Sequence, residues 1–275
     1  MSKTSRIIKN FRNKVYKGAR TKKSLKLLTY FTKVGNIPLQ GKILPLTFNE
    51  KNIFFYVPKN HLELAEAILH FEKSDTDCKE IIKYFEKNHK VVSSRRFLDV
   101  GANQGLYSLA LRKHNFDTLS VEGNHELANL IKINYLLNNY TTAADVLEMW
   151  VTPNIESNYF KHESDFSLTN SVKNFGQTEI LNKITLGELL LEFNPSVVKL
   201  DLEGLDSEVI LSITSKDFKN VDYLVIEQKS DDLNSNKVKD HMKSMGLHNS
   251  LSTNLQGALV DLKTTGLINC HYTRV

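Results

Sequence analysis

The sequence predicts an α/β fold in which parallel strands alternate with helices around a central sheet. Three observations lead to this prediction. Short apolar runs recur along the chain, four of them end at an acidic residue, and the first is followed by a glycine-containing turn that opens directly into a helical pattern. The carboxyl ends of parallel strands meet at one edge of the sheet, where doubly wound folds bind their ligands. We therefore expect a ligand site among these acidic residues.

The segment before the first of these runs indicates a hairpin and two helices. Residues 52–57 (NIFFYV) are typical of a strand, and Pro58 prevents its use as a central strand, so we predict a hairpin-like element over residues 36–57. Apolar residues recur at helical spacing in the next two segments. They predict helices over residues 61–71 and 78–88.

The four apolar runs are the predicted parallel strands of the sheet. They cover residues 96–100, 118–122, 197–200 and 221–226, and the acidic residues at their ends are Asp99, Glu122, Asp201 and Glu227. A helical pattern starts at Leu106, after the first run, and another covers residues 125–137, after the second. These strand–helix units predict a parallel sheet covered by helices.

The remainder of the chain predicts one more helix and two strands. A polar loop follows the fourth run, and the pattern then predicts a helix over residues 237–245 that ends at Gly246. Two short strands are expected near residues 247–251 and 258–263.

Charge is distributed unevenly along the chain. Residues 1–49 contain 12 Lys or Arg and no acidic residue, whereas residues 50–275 contain 24 basic and 31 acidic residues, a net charge of −7. We therefore predict a basic N-terminal extension over residues 1–49 and a folded domain over residues 50–275. Leu25, Leu28 and Phe31 recur at helical spacing within the extension. Both a solvated leader and a segment that contacts an anionic surface are consistent with this pattern.

Composition excludes several classes of protein. No uninterrupted apolar run approaches the roughly 18 residues that a membrane-spanning helix needs. Cys78 and Cys270 lie far apart without a CxxC spacing, which indicates two reduced thiols rather than a zinc knuckle or a disulfide framework. The first 30 residues lack the apolar core of a secretory signal. We therefore expect a cytoplasmic protein.

The turn after the first run indicates the chemistry of the ligand. It reads D-x-G-x-x-x-G from Asp99 to Gly105, which is neither the G-x-G-x-x-G of dinucleotide enzymes nor a phosphate loop with its lysine. Gly101 allows the backbone to approach a ligand, and Gly105 allows the next helix to approach the strand. The helix N-terminus suits a carboxylate, and Glu122 is placed to accept hydrogen bonds from both hydroxyls of a ribose. A ligand with a carboxylate, a ribose and an adenine but no pyrophosphate fits, and S-adenosylmethionine is such a ligand.

Four segments resemble a known family. FLDVGANQGLYSLAL, LSVEGN, ITLGELL and VVKLDLEGLDSEVI, between about residues 97 and 227, resemble the FkbM family of S-adenosylmethionine-dependent methyltransferases. The resemblance implies a class I methyltransferase (Rossmann-like) fold, with a seven-stranded, mostly parallel sheet and helices on both faces. It also implies that residues 50–275 form the methyltransferase domain and that the reaction is O-methylation, often of sugars in polysaccharides, glycolipids or natural products. Where the family usually has Glu-Pro, this sequence has Glu122 followed by Gly123 and Asn124.

The resemblance also implies which residues bind the cofactor. Four residues of the turn would surround its methionine end: Asp99, Gly101, Asn103 and Gly105. Glu122 and Gly123 would hold the ribose. Met149 and Trp150 would wall the adenine, although a role in the hydrophobic core explains either residue equally well. Residues 165–170 (DFSLTN) loosely match a family loop near the active site.

The KLDLEG tract supplies the candidate catalytic residues. Lys199 and Asp201 share one face of a strand by its period of two, and Glu203 follows in the loop. Glu227 ends the strand that we expect beside it, so the three carboxylates are predicted to converge. A carboxylate near the acceptor can take its proton as a general base. Two alternatives remain: a divalent cation held by these oxygens, which we do not favour, and a structural role in which Glu203 and Glu227 cap helices or pair with lysines.

We expect O-methyl transfer to a hydroxyl of a sugar or glycan-containing acceptor. The alternative is a nucleic-acid (RNA) methyltransferase steered by the basic extension. Residues 50–275 are net acidic and contain no N-P-P-Y or D-P-P-Y tract, so we do not expect nucleic acid as a partner. A non-catalytic binding module is a third class, against which the glycine pair, Glu122 and Asp201 argue. The extension, through residues 1–34, is a candidate for weak contact with the inner face of an anionic membrane.

Overall fold

A computed structural model describes residues 40–59, 61–88, 94–140, 145–156, 182–229, 234–254, 258–260 and 267–274. The strands in these ranges are β1 (Gly41–Phe48), β2 (Lys51–Pro58), β3 (Arg96–Val100), β4 (Asp117–Val121), β5 (Val146–Leu147), β6 (Trp150–Thr152), β7 (Lys183–Thr185), β8 (Val197–Leu200), β9 (Tyr223–Lys229), β10 (Leu247–Asn254) and β11 (Leu267–Arg274). The helices are α1 (Leu62–Ser74), α2 (Asp77–Lys87), α3 (Leu106–Lys113), α4 (His125–Leu137), α5 (Leu186–Phe193), α6 (Asp206–Leu211) and α7 (Ser235–Ser244).

Seven strands form the central sheet in the order β10-β11-β9-β8-β3-β4-β5. The five strands from β9 to β5 run parallel, and β11 is antiparallel to both β9 and β10. Strand order reverses at β3, which pairs with β4 on one side and with β8 on the other. The predicted class I methyltransferase sheet is thereby confirmed, with its switch point between β3 and β8.

Helices cover both faces of this sheet because successive residues of a strand point to opposite faces. On β3, Phe97 packs in a core with helices α2, α3 and α4, whereas Leu98 packs in a second core with helices α5, α6 and α7. On β8, Val197 and Val198 divide between the same two cores. The strands are buried on both faces, which explains why each reads as a continuous apolar run.

The predicted hairpin is present and consists of β1 and β2, joined by a turn in which Asn49 and Glu50 have positive φ. It packs on helix α4, where the Asn134 side chain accepts a hydrogen bond from the Tyr56 amide (2.8 Å). The predicted boundary between residues 49 and 50 falls in this turn. The division of the chain into an extension and a domain stays a prediction, and β1 packs with the domain.

The last predicted strand, over residues 258–263, lies outside the described residues from residue 261 onward. Residues 258–260 form only an isolated bridge, between Leu259 and Thr253, and the strand that completes the sheet is β11. Ile268, Cys270 and Tyr272 alternate into one core. The polar residues between them, including a fully buried His271, hid this period from the sequence. None of the helices in the described ranges is both long enough and apolar enough to cross a membrane.

Candidate active site

An open cleft lies at the carboxyl ends of β3, β4 and β8, beside the switch point of the sheet. Its empty volume, which includes open solvent at the mouth, is about 610 Å³. Seven of the predicted site residues line it: Gly101, Asn103, Glu122, Gly123, Met149, Asp201 and Glu203. The other four predicted residues, Asp99, Gly105, Lys199 and Glu227, are not in its lining.

The glycine turn is shaped by contacts within the protein. Gly101 has φ +73°, and a Cβ atom there would overlap the carbonyl oxygen of Asp201, so only glycine fits. Gly105 starts helix α3 with φ +82°, and its Cβ would lie 3.2 Å from Ile131 Cγ2. The neighbour that requires Gly105 is therefore helix α4, and not the strand that we expected.

Asp99 lies beneath this turn and is almost fully buried. Its Oδ2 accepts hydrogen bonds from the amide (3.1 Å) and the hydroxyl (2.6 Å) of Ser108, near the start of helix α3. Its Oδ1 is buried without a hydrogen bond and lies 3.9 Å from Lys199 Nζ. Asp99 thus supports the turn from below, and its predicted contact with the cofactor stays a prediction.

Glu122 joins the two loops on the cofactor side of the cleft. Its carboxylate accepts hydrogen bonds from the amides of Asn103 and Asn124, both at 2.8 Å. Burial raises the pKa of Glu122 to about 7. A carboxylate has about four acceptor positions, so about two remain for the hydroxyls of a ligand. Gly123 stands where the family usually has proline, and the next residue, Asn124, caps helix α4 by accepting a hydrogen bond from the Leu127 amide (3.0 Å).

The predicted adenine edge is formed by residues 123 and 149–150. A Cβ on Gly123 would overlap the indole of Trp150, so glycine at this position admits the tryptophan. Met149 and Trp150 are half-buried and line the cleft, and Met149 also packs against the second core. Met149 therefore contributes to the core while it lines the cleft, and its contact with the adenine stays a prediction.

Sequence reasoning missed Glu148, which lies next to this edge. His125 is the first residue of helix α4, and its Nδ1 lies 2.6 Å from Glu148 Oε1. Lys132 Nζ lies 3.8 Å from the other carboxylate oxygen. No local pattern marks such a pair, because its members are 23 residues apart. The capping role of Asn124 was readable, since asparagine directly before a helical pattern is a start signal.

Lys199 is a buried cation between two carboxylates. Its Nζ donates a hydrogen bond to Asp201 Oδ2 (2.9 Å) and lies over the ring of Tyr107, 4.8 Å from the centroid. The predicted shared face of Lys199 and Asp201 is thus confirmed. Burial alone would lower the pKa of Lys199, but Asp201 and Asp99 outweigh it and raise this pKa above its ordinary value. Lys199 is therefore an ammonium group and not a base.

Glu227 lies beside Asp201 on the neighbouring strand, which continues to Lys229 and so does not end at Glu227 as we predicted. Leu200 pairs with Ile226 in the β8–β9 ladder, so the next residues, Asp201 and Glu227, share a level and a face of the sheet. Burial raises the pKa of Glu227 to about 8, and the charges of Asp201 and Glu203 add to this rise. Glu203 itself has φ +51°, an uncommon conformation for a glutamate. The structure therefore brings the three predicted carboxylates together.

Among the residues that the structure describes, no group of three or more His, Cys, Asp or Glu side chains is arranged to hold a metal ion. The choice between a general base and a cation stays a prediction. Residues 165–170, which loosely match a family loop, lie outside the described residues.

The fold and the cleft define a class I methyltransferase that uses S-adenosylmethionine. Residues 99–248, more than half of the chain, match the family described as the methyltransferase FkbM domain. The chain therefore belongs to this family, as its motifs indicated. No curated protein matches the sequence.

Solved structures with a similar fold are methyltransferases of low sequence identity. One is TrmK of M. capricolum in complex with S-adenosyl-homocysteine, which is 11% identical. The match covers 74% of this chain and 69% of that one, with a TM-score of 0.41. Another is the Pyrococcus abyssi tRNA (uracil-54, C5)-methyltransferase, which is 11% identical. The match covers 84% of this chain and 44% of that one, with a TM-score of 0.41. A third is an S-adenosylmethionine-dependent methyltransferase from Clostridium acetobutylicum, which is 11% identical. The match covers 78% of this chain and 98% of that one, with a TM-score of 0.43. At this level of similarity their acceptors say nothing about the acceptor of this chain.

The residues at the cleft fit S-adenosylmethionine. Asn103 Oδ1 is buried at the cleft without a hydrogen bond, which leaves an acceptor for the ammonium or a hydroxyl of a ligand. Glu122 has acceptor positions to spare, and the half-buried faces of Met149 and Trp150 offer an apolar wall. Among the described residues that line the cleft there is no lysine or arginine, as suits a cofactor without a pyrophosphate.

Proposed function

We propose that this protein is an O-methyltransferase that transfers a methyl group to a hydroxyl of a sugar or glycan-containing acceptor. The observation that carries the proposal is a cluster of three carboxylates next to the cofactor cleft, those of Asp201, Glu203 and Glu227. A hydroxyl must lose its proton as it is methylated, and a carboxylate whose pKa lies near neutrality is suited to take it.

We assign the role of general base to Glu227. With a pKa of about 8 it is deprotonated at basic pH, and the raised pKa lets it hold the proton that it takes. Asp201 is bound to Lys199 at 2.9 Å and is thereby oriented rather than free to take a proton. When bound, S-adenosylmethionine supplies the electrophilic methyl group. The chain's part is to hold the acceptor oxygen in line with that group and to remove its proton.

The charge of the cleft supports a neutral, hydroxyl-rich acceptor. Of the lining residues that the structure describes, the ionisable ones are Glu122, Asp201 and Glu203, all acidic. Carboxylates accept hydrogen bonds from sugar hydroxyls, whereas they repel the phosphates of a nucleic acid. An RNA methyltransferase would need a basic catalytic face, so the RNA alternative rests on the N-terminal extension alone.

We further propose that the extension brings a cytoplasmic enzyme to the inner face of a membrane. Twelve Lys or Arg without an acidic residue, combined with an apolar stripe, suit an anionic lipid surface. We expect salt-sensitive co-sedimentation of the full chain with anionic vesicles, and none for a variant that lacks residues 1–34. Full-length protein that stays in the supernatant at low and moderate salt contradicts this proposal.

The acceptor is tested by a screen with S-adenosylmethionine that carries a labelled methyl group. Nucleotide sugars, glycolipids and RNA are offered in parallel to the wild type and to two variants, Glu227→Gln and Glu192→Gln, the latter on the exposed face of helix α5. We expect label in a sugar-containing acceptor with wild type and Glu192→Gln, and none with Glu227→Gln. Label that enters RNA alone overturns the proposal.

A further inference from the structure

Asp77, the first residue of helix α2, lies in a dense polar network outside the cleft. Its Oδ1 accepts hydrogen bonds from the Thr253 hydroxyl (2.9 Å) and from His271 Nε2–H (2.8 Å). Its Oδ2 accepts from the Tyr107 hydroxyl and from the Asn269 amide group, both at 2.8 Å. The other ring nitrogen of His271, Nδ1, lies 2.8 Å from the hydroxyl of a neighbouring tyrosine, Tyr223.

This carboxylate is ionised and firmly held. Asp77 is only 5% exposed. Burial alone would raise the pKa of Asp77, but the hydrogen bonds from His271, Tyr107 and Thr253 outweigh it and lower the pKa below its usual value. A buried carboxylate of α2 that is bound from α3, β10 and β11 is costly to desolvate, and stability alone does not require it, since buried ion pairs are often replaced by apolar residues without loss.

The first side of the network leads to Lys199. The Tyr107 hydroxyl is bound to Asp77, and the face of the Tyr107 ring lies 4.8 Å from Lys199 Nζ. Lys199 is hydrogen-bonded to Asp201, and its charge also lowers the pKa values of Glu122 and Glu227. The position of this ammonium therefore affects both the cofactor side and the acceptor side of the site.

The second side leads to Glu227. In the β9–β11 ladder Asn269 is the direct partner of Glu227, so their side chains leave the same face of the sheet. The Asn269 amide group is held by Asp77 Oδ2. One carboxylate oxygen thus binds both the residue that covers Lys199 and the residue beside Glu227.

We propose that Asp77 is a positioning residue for methyl transfer: through Tyr107 it fixes Lys199, and through Asn269 it fixes the surroundings of Glu227. Asp77, Asn269 and His271 lie outside the matched residues 99–248, so helix α2 and the C-terminal hairpin complete the site of the family domain. The proposal rests on the proposed function, because Lys199 and Glu227 are site residues only there.

The test compares two variants that each remove one hydroxyl from the same carboxylate. Tyr107→Phe removes the hydrogen bond to Asp77 Oδ2, the oxygen whose partners lead to the site. Thr253→Val removes the hydrogen bond to Asp77 Oδ1, whose partners do not. The readout is the NMR chemical shift of the Lys199 ε-methylene group, which the ring face of Tyr107 moves upfield. It is recorded on the full chain with S-adenosylmethionine bound and needs no methyl acceptor.

We expect the upfield shift to shrink in Tyr107→Phe and in Asp77→Asn and to persist in Thr253→Val, although all three lower the melting temperature. With an acceptor from the labelling screen, kcat falls about tenfold or more in the first two variants. A Lys199 signal unchanged in Tyr107→Phe and Asp77→Asn overturns the proposal. If the wild type methylates no sugar, the proposed function is wrong. The NMR comparison then still tests whether Asp77 positions Lys199 through Tyr107.

Discussion

Gly101 and Asp201 touch through their main chains: a Cβ atom on Gly101 would overlap the carbonyl oxygen of Asp201. The contact joins the turn after β3, on the cofactor side, to the loop after β8, which carries two of the three candidate catalytic carboxylates, those of Asp201 and Glu203. The amide of Asp201 also donates a hydrogen bond to the carbonyl of Val100 (3.1 Å). The two halves of the site are therefore fixed to each other at the switch point of the sheet.

Replacing Gly101 by Ala should be severely destabilising. The new methyl group meets main-chain atoms that cannot move aside, and φ +73° adds strain, so we expect a loss of about 3 kcal/mol or more in the free energy of unfolding. Gly204→Ala is the control: Gly204 also has positive φ (+107°), but its Cβ would meet nothing within 4 Å. Chemical denaturation measures both variants. Equal losses would show that backbone strain alone, and not the contact with Asp201, requires glycine at 101.

Glu122→Gln should weaken S-adenosylmethionine binding. A neutral amide loses charge-assisted hydrogen bonds to the ribose, which costs roughly 1–3 kcal/mol in binding free energy. In the wild type, the pKa of about 7 means that affinity is full above pH 7 and falls as the pH drops below 7, because the carboxylate is the binding form. Calorimetric titration across this pH range measures both effects. Wild-type affinity in the variant, or affinity that rises on acidification, removes Glu122 from the ribose site.

Glu203→Gly should stabilise the protein while it removes activity. Glu203 has φ +51°, and glycine adopts this conformation without the steric cost that other residues pay. The conformational entropy that glycine loses on folding offsets part of this relief, so we expect a net gain of about 0.5–1 kcal/mol in the free energy of unfolding. Glu50→Gly is the matched control, because Glu50 has φ +64° in the exposed β1–β2 turn. It should gain similar stability and keep full methyl transfer. If Glu203→Gly is stabilised and equally active, Glu203 has no role in the reaction.

Chelation and pH together separate a general base from a metal. If Glu227 is the base, methyl transfer survives treatment with a chelator, and kcat rises with pH through about 8, because the deprotonated form takes the proton. Asp201→Asn loses activity under the same conditions because it disturbs the bond to Lys199. Activity that disappears with chelator and returns with added Mg²⁺ or Mn²⁺ favours the metal instead.

The sequence predicted the sheet and most of the cleft because both follow local rules. β3, β4, β8 and β9 are buried on both faces, so each reads as an apolar run, and Glu122 and Asp201 stand directly at strand ends. The network around Asp77 could not be predicted in this way. Asp77 and His271 are 194 residues apart, and only the pairing of β11 beside β9 brings them together. Strand β11 was not predicted for the same reason: it contains polar residues that are buried only by long-range contacts.

The chemical position of the transferred methyl group tests the central claim most directly. The full chain is incubated with S-adenosylmethionine labelled with ¹³C in its methyl group and with the acceptor found in the labelling screen, and the product is examined by NMR. The account predicts a methyl ether on a sugar hydroxyl, formed by the wild type and absent with Glu227→Gln. A methyl group on a nitrogen or carbon atom of a nucleobase, formed equally by both proteins, would contradict it.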